Sequence, residues 1–202
     1  MLAEVSELIV VPRVAVELPL AVPLPDGFDP AAPGTWPRVP GRLEYVQGRL
    51  LYMPPSGDQQ QQTAADTVGA LIAWQRRHPV FVVGANEAGM LLGSDVRAAD
   101  AAIWRREAVV PATGGLPRVP PILAVEVAGR EDTLGMLRDK ARWYLAHGVM
   151  VVWILLPATR SALVITGAGE TEVPPGGRMP AHEDLPELEP ALDDLFRQVA
   201  AS

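Results

Sequence analysis

Apolar and polar positions along the chain change period several times, and each change predicts an element. Over "GRLEYVQGRLLYMPP" the pattern predicts two short strands around Gln47–Gly48, a hairpin closed by Pro54–Pro55. From Gln59 to Arg77, residues Ala65, Val68, Leu71 and Ile72 recur at helical spacing, with Asp58 placed as N-cap. The segment "VFVVGANEAGMLLGSDVRAADAAIWRREAVV" then predicts short strands around 80–84, 88–92, 100–104 and 108–110, followed by a Gly/Pro loop over 111–121. A strand over 122–128 precedes a second helix over 133–147, whose apolar stripe is Leu134, Leu137, Ala141, Tyr144 and Leu145. Asp132 or Thr133 caps its start, and Gly148 follows its end. "VMVVWILL" predicts a buried strand by its β-branched content, "ALVIT" a partner strand after the Pro157–Arg160 turn, and the tail ends in a short helix.

This order predicts an α/β (α+β) domain with a mixed sheet flanked by helices. The helix between strands 122–128 and 149–156 reads as a crossover, which makes those two strands parallel neighbours. Residues 1–40, rich in Pro and Gly, predict an extended arm that carries no catalytic group; residues 41–197 form the domain.

Composition narrows the chemistry. The 202 residues are 49% hydrophobic and 20% charged, as in an ordinary globular protein. No window reaches the roughly 18 uninterrupted apolar residues of a spanning helix. The run "ELIVVPRVAVELPLAVPLP" has no basic start and is broken by Arg13, Glu17 and prolines, so a cytoplasmic protein without a membrane partner is expected. The apolar arm and exposed strand edges favour a homodimer. With no cysteine there is no disulfide, no thiolate nucleophile and no Cys-based metal site, and His78, His147 and His182 are far apart in sequence. A metal here is expected to be a hard ion on carboxylates. The net charge of −7 argues against a broad basic surface. The clusters Arg76–Arg77, Arg105–Arg106 and Arg138–Lys140–Arg142 read first as solvated faces.

One residue breaks the apolar pattern of the 122–128 strand. Alternation puts Leu123, Val125 and Val127 on one face and Ile122, Ala124, Glu126 and Ala128 on the other. An unpaired carboxylate on such a face costs several kcal/mol, so Glu126 must meet a cation, a donor cluster or water. Lys140, at the margin of the second helix's apolar stripe, is placed to be that cation. Asp100 begins the strand "DAAIW". An Asp at one strand's mouth, a Glu within another and a Lys on the crossover helix can make a site for a divalent cation and a phosphate. Taken by themselves, the same residues better fit a buried Glu126–Lys140 ion pair, a strand-end Asp100 and a surface hairpin acid at Glu44.

The segment Leu123 to Pro157 resembles the Uma-two family of restriction-type endonucleases, a branch of the PD-(D/E)XK nuclease superfamily. The resemblance rests on Val125-Glu126-Val127, on Lys140 fourteen residues after Glu126, and on Tyr144, Gly148-Val149, Trp153 and Pro157. "LEYVQGRLLYMPP", with Glu44, Gly48 and Leu50, is similar to the family's opening hairpin, "AADAAIW" to its strand Asp, and "LPELEPALDDLF" to its close; together they cover roughly residues 41 to 197. The resemblance implies a restriction-endonuclease-like fold and a magnesium-dependent endonuclease acting on DNA, with manganese as a substitute. Asp100, Glu126 and the Val127 carbonyl would be metal ligands, Lys140 the residue near the attacking water, and Glu44 an auxiliary acid. The superfamily's lysine two residues after the Glu is replaced by Ala128, so Lys140 takes the role from the helix. Ala99 stands where the family has a proline, "AGRE" replaces its usual loop, and the glutamines of "GDQQQQ" replace a frequent histidine. Leu156 stands in place of an acid. The alternative is a catalytically inactive binding or regulatory module of the same fold, with Glu126 and Lys140 as a structural ion pair.

Overall fold

A computed structural model describes residues 18–110 and 112–199. The first 17 residues of the expected arm lie outside them. The described part of the arm is more structured than the Pro/Gly content predicts. Residues Leu20–Val22 form strand β1, which pairs with β3 at the sheet edge, and Pro33–Thr35 form a 3-10 turn.

The hairpin forms as expected. Strands β2 (Arg42–Val46) and β3 (Arg49–Met53) join through Gln47 and Gly48, whose φ values of 50° and 78° give the backbone twist that a two-residue hairpin needs. Helix α1 spans Asp58–Gln75; its N-cap is Gly57 rather than Asp58, and the Asp58 carboxylate accepts instead from the Gln59 N–H. The strands expected at 80–84 and 88–92 are one strand, β4 (Phe81–Leu92), with a register shift between Ala85 and Ala88. Asn86 and Glu87, with φ values of 55° and 59°, form the bulge. Strand β5 runs Asp95–Arg105, so Asp100 lies mid-strand and not at its start. The strand expected at 108–110 is instead a single helical turn, α2 (Arg106–Val109).

The crossover is as predicted. Strand β6 (Leu123–Val127), helix α3 (Leu134–Ala146) and strand β7 (Val151–Leu156) follow in order, and β6 and β7 are parallel. Thr133 caps α3 by accepting from the Met136 N–H, while Asp132 accepts from the Gly129 N–H. Strands β8 (Ser161–Thr166) and β9 (Gly169–Val173) finish the sheet, and α4 (Leu192–Leu195) is the tail helix.

The nine strands form one mixed sheet in the order β1-β3-β2-β5-β6-β7-β8-β9, with β4 also on β5. Helix α1 and the tail cover one face, packing Leu71, Trp74, Leu192 and Phe196 against Val125, Val127, Trp153 and Leu155. Helix α3 covers the other, packing Leu137, Ala141 and Tyr144 against Ala102, Ala124, Val152 and Ile154. Leu134, assigned to the stripe of α3, is exposed. Among the described residues no helix is long and apolar enough to cross a membrane.

One feature of the sheet positions the site. Along the edge of β5 away from β4, the register runs to β2 at Val96 and to β6 only at Ala101–Ile103. The sheet forks between these points. Backbone groups in the fork have no strand partner on that side and need side chains to satisfy them.

Candidate active site

The fork collects the charged residues. Glu44 sits mid-β2 with Arg42 two residues earlier, and by alternation both leave the same face of the strand. Glu126 leaves β6 on the α3 side, and Lys140 and Tyr144 are one helical turn apart on α3. The Lys140 ammonium lies 2.9 Å from Glu44 Oε1 and donates at 2.9 Å to Glu126 Oε2 and at 2.8 Å to the Ala98 carbonyl in the fork. Its three donors are thereby filled. The Ala98 N–H donates to Glu44 Oε1 and Arg97 Nε donates to Glu44 Oε2, at 3.2 Å and 2.8 Å. The Tyr144 hydroxyl donates to Glu126 Oε1 at 2.8 Å.

Glu44 and Glu126 are 3% and 4% exposed, so Glu44 is not a surface hairpin acid. Within the basic cluster of α3, Arg138 pairs with Glu170 and Arg142 with Asp139 on the surface, whereas Lys140 is turned inward.

The two glutamates respond to burial in opposite ways. Burial raises the proton affinity of Glu44, but Lys140, Arg97 and the Ala98 N–H outweigh it, and its pKa falls to about 2. For Glu126, burial is reinforced by the charges of Asp100 and Glu44 and only partly offset by Lys140, so its pKa is pushed up to about 7. The Lys140 pKa is raised: desolvation pulls it down, but Glu126 and Glu44 pull harder. Burial and the two glutamates hold the Tyr144 phenol well above its usual value.

Asp100 is near this cluster but does not join its hydrogen bonds. One step beyond the Ala101–Val125 pair, where β5 and β6 part, its Oδ2 accepts from the Val127 N–H at 2.7 Å. Arg42 stands 3.7 Å from its Oδ1. Burial raises its pKa, against the opposing pull of the Val127 N–H, Lys140 and Arg42. Glu44, Glu126, Val127 and Lys140 line a cavity of about 210 Å³, whereas Asp100 lines a neighbouring one with Gln60, Asn86 and Glu87. Gln60 belongs to both cavities and donates to the Val127 carbonyl at 3.0 Å. A Cβ at Gly129 would lie 2.8 Å from Gln60 Oε1, so a side chain there would push the Gln60 amide aside.

Carboxylate and carbonyl oxygens of Asp100, Glu126 and Val127 are the donors a hard divalent cation takes, and the set fits such an ion in kind. As folded, Asp100 Oδ2, both oxygens of Glu126 and the Val127 carbonyl are held by protein donors. Among the described residues no three Asp, Glu, His or Cys side chains stand grouped to share one ion.

Arg97, Arg42 and Gln60 also belong to the site and are not among the residues expected there. Arg97 reaches Glu44 across 53 residues of chain, a pairing that only the fork creates. Arg42 could have been found by its twofold spacing from Glu44. Gln60 lies on the buried stripe of α1 with Thr63, Thr67 and Leu71, which marks it as inward-facing.

Comparison with curated proteins finds no match. The crystal structure of a putative nuclease of the DUF820 family from Anabaena variabilis ATCC 29413 matches with a TM-score of 0.72 at 14% identity. The match covers 83% of this chain and 96% of that one, a likeness of fold. The model of the Uma2 family, described as putative restriction endonuclease, matches residues 35–196, and on that match the chain belongs to the Uma2 family.

Proposed function

We propose that this protein is a magnesium-dependent nuclease that hydrolyses DNA phosphodiester bonds, with manganese able to replace magnesium. The observation that carries the reading is the Lys140 ammonium held between two buried glutamates, 2.9 Å from each, on a cavity in a nuclease-like fold. Asp100, Glu126 and the Val127 carbonyl would hold the ion, which when bound polarises a phosphoryl oxygen and lowers the pKa of a bound water.

The chain's own residues do the rest. Lys140 stays an ammonium at neutral pH because Glu126 and Glu44 both raise its proton affinity. It can therefore offset the negative charge that builds on the phosphoryl oxygens as water adds. Glu44 stays ionised through Lys140 and Arg97 and fixes the ammonium in place. Tyr144 holds one oxygen of Glu126 and orients the carboxylate.

A second reading has its own support. Every carboxylate oxygen of Glu44 and Glu126 already meets a protein donor, as in a structural ion-pair network of a non-catalytic binding or regulatory module. Plasmid cleavage and magnesium-induced thermal stabilisation, measured for wild type, Glu126→Ala and Lys140→Ala, separate the two. Metal-dependent cleavage lost in both variants is the nuclease result. A wild type that neither binds magnesium nor cleaves belongs to the module reading.

A further inference from the structure

Among the described residues, the buried side-chain nitrogens without a hydrogen-bond partner are Trp36 Nε1, Arg42 Nε and His78 Nε2. His78 stacks on Trp74 and stands 3.6 Å from Glu187. The other two nitrogens belong to residues lining one groove of about 490 Å³, walled by residues 36–43 and Glu87. Indole and guanidinium N–H groups only donate, and a buried donor without an acceptor carries a desolvation penalty. Both nitrogens are themselves buried, so the groove is offered to a ligand by the rest of Trp36 and Arg42 and by the exposed Arg38.

The groove's charge says which kind. Arg38 and Arg42 line it against one acid, Glu87, which stands 3.6 Å from Arg42 Nε and is itself 41% exposed. Arginine forks suit phosphate, and an indole suits the face of a base. Arg42 also lines the cavity of Glu44, Glu126 and Lys140, so the groove leads onto the candidate active site. A space of this size takes a nucleotide unit, and a base is free to lie on an indole when it is unpaired, since within a duplex its faces are covered by its neighbours.

We propose that Trp36, Arg38 and Arg42 form a subsite for one unpaired nucleotide of a single DNA strand, adjoining the phosphodiester to be cut. Its phosphate lies on the two arginines and its base against Trp36. The subsite rests on the nuclease reading for its substrate class. It also places two substrate contacts, Trp36 and Arg38, in the Pro/Gly-rich arm, for which the sequence pattern predicts no catalytic group. A local basic groove of this kind is compatible with an acidic chain, because a strand is read over a few charges and not over the whole surface.

The test is fluorescence anisotropy of a short labelled single-stranded oligodeoxynucleotide in EDTA, with the full chain as wild type, Trp36→Ala, Arg38→Ala and Arg42→Lys. The duplex of the same sequence serves as comparison. Expected are tighter binding of the single strand than of the duplex and about tenfold weaker binding for Trp36→Ala. For Arg38→Ala, the slope of log affinity against log salt falls by about 0.7. Arg38 is exposed, so its variant tests the groove even if a change at Arg42 disturbs folding. Absent single-strand binding, a preference for duplex, or Trp36→Ala and Arg38→Ala binding like wild type overturns the subsite. Metal-dependent cleavage of the single strand separates this from the function itself. Cleavage with unchanged KM in both variants removes the subsite and leaves the nuclease; groove-dependent binding without cleavage removes the nuclease and leaves the subsite.

Discussion

The two sides of the β5–β6 fork hold their charges differently. On the α3 side, Glu44, Lys140, Glu126, Arg97 and Tyr144 meet at 2.8–2.9 Å, and the Lys140 donors are all used. Beside this cluster, toward the Asn86–Glu87 bulge, Arg42 spans Asp100 and Glu87 at 3.7 Å and 3.6 Å, and its Nε has no acceptor. A saturated network defends a fixed geometry, whereas a loosely paired one leaves donors free for a ligand. On the proposed nuclease reading, the first side holds Lys140 and Glu126 in a fixed geometry and the second adds Arg42 as a substrate contact.

Breaking the tight side has the largest effect. Lys140→Ala leaves Glu44 and Glu126 buried beside each other without their shared cation, and the expected loss is about 3–5 kcal/mol in urea unfolding. Next comes pH in metal-free buffer. Between about 4.5 and 7 the folded state holds a proton on Glu126 that the unfolded chain has released, so stability falls as pH rises through that window. Between about 4.5 and 2 the unfolded chain takes up a proton at Glu44 that the folded state refuses, so stability also falls as pH drops. Each arm is worth about 3 kcal/mol, with the maximum near the ordinary glutamate value. Glu126→Gln should flatten the upper arm alone in pH-dependent unfolding.

The loose side should yield less. Asp100→Asn keeps an acceptor for the Val127 N–H and should change stability by no more than about 1 kcal/mol. On the nuclease reading magnesium should raise the Tm of the wild type, and Asp100→Asn should abolish that rise. Arg42→Met should shift stability least, by under about 1 kcal/mol, because it removes long ion pairs without a hydrogen bond.

How much of this was legible follows from range along the chain. Glu126 was conspicuous because a carboxylate in an apolar β-strand demands a partner, and Lys140 was findable because one crossover links them. The parallel pair β6 and β7 followed from the same logic. The fork was not legible, since it depends on β5 meeting β2 and β6 at different heights. Without it, the burial of Glu44 and the role of Arg97 had no local sign. The bulge at Asn86–Glu87 was hidden because two non-glycine residues take positive φ, and "GANE" therefore read as a break between two strands. Strand β9 was missed because "GETE" is polar and exposed at the sheet edge, without the apolar alternation of a half-buried strand.

The central claim is that Glu44 and Glu126 share one lysine but divide its influence so unequally that one stays ionised and the other exchanges its proton near neutrality. Carbon-13 titration of the glutamate side-chain carboxyls by NMR, without and with magnesium, tests it directly. The account predicts a Glu126 transition near 7 and a Glu44 transition near 2 in the metal-free protein, with magnesium moving the Glu126 transition to lower pH. Glu126 titrating near 4.5, beside the exposed glutamates and insensitive to magnesium, would contradict it.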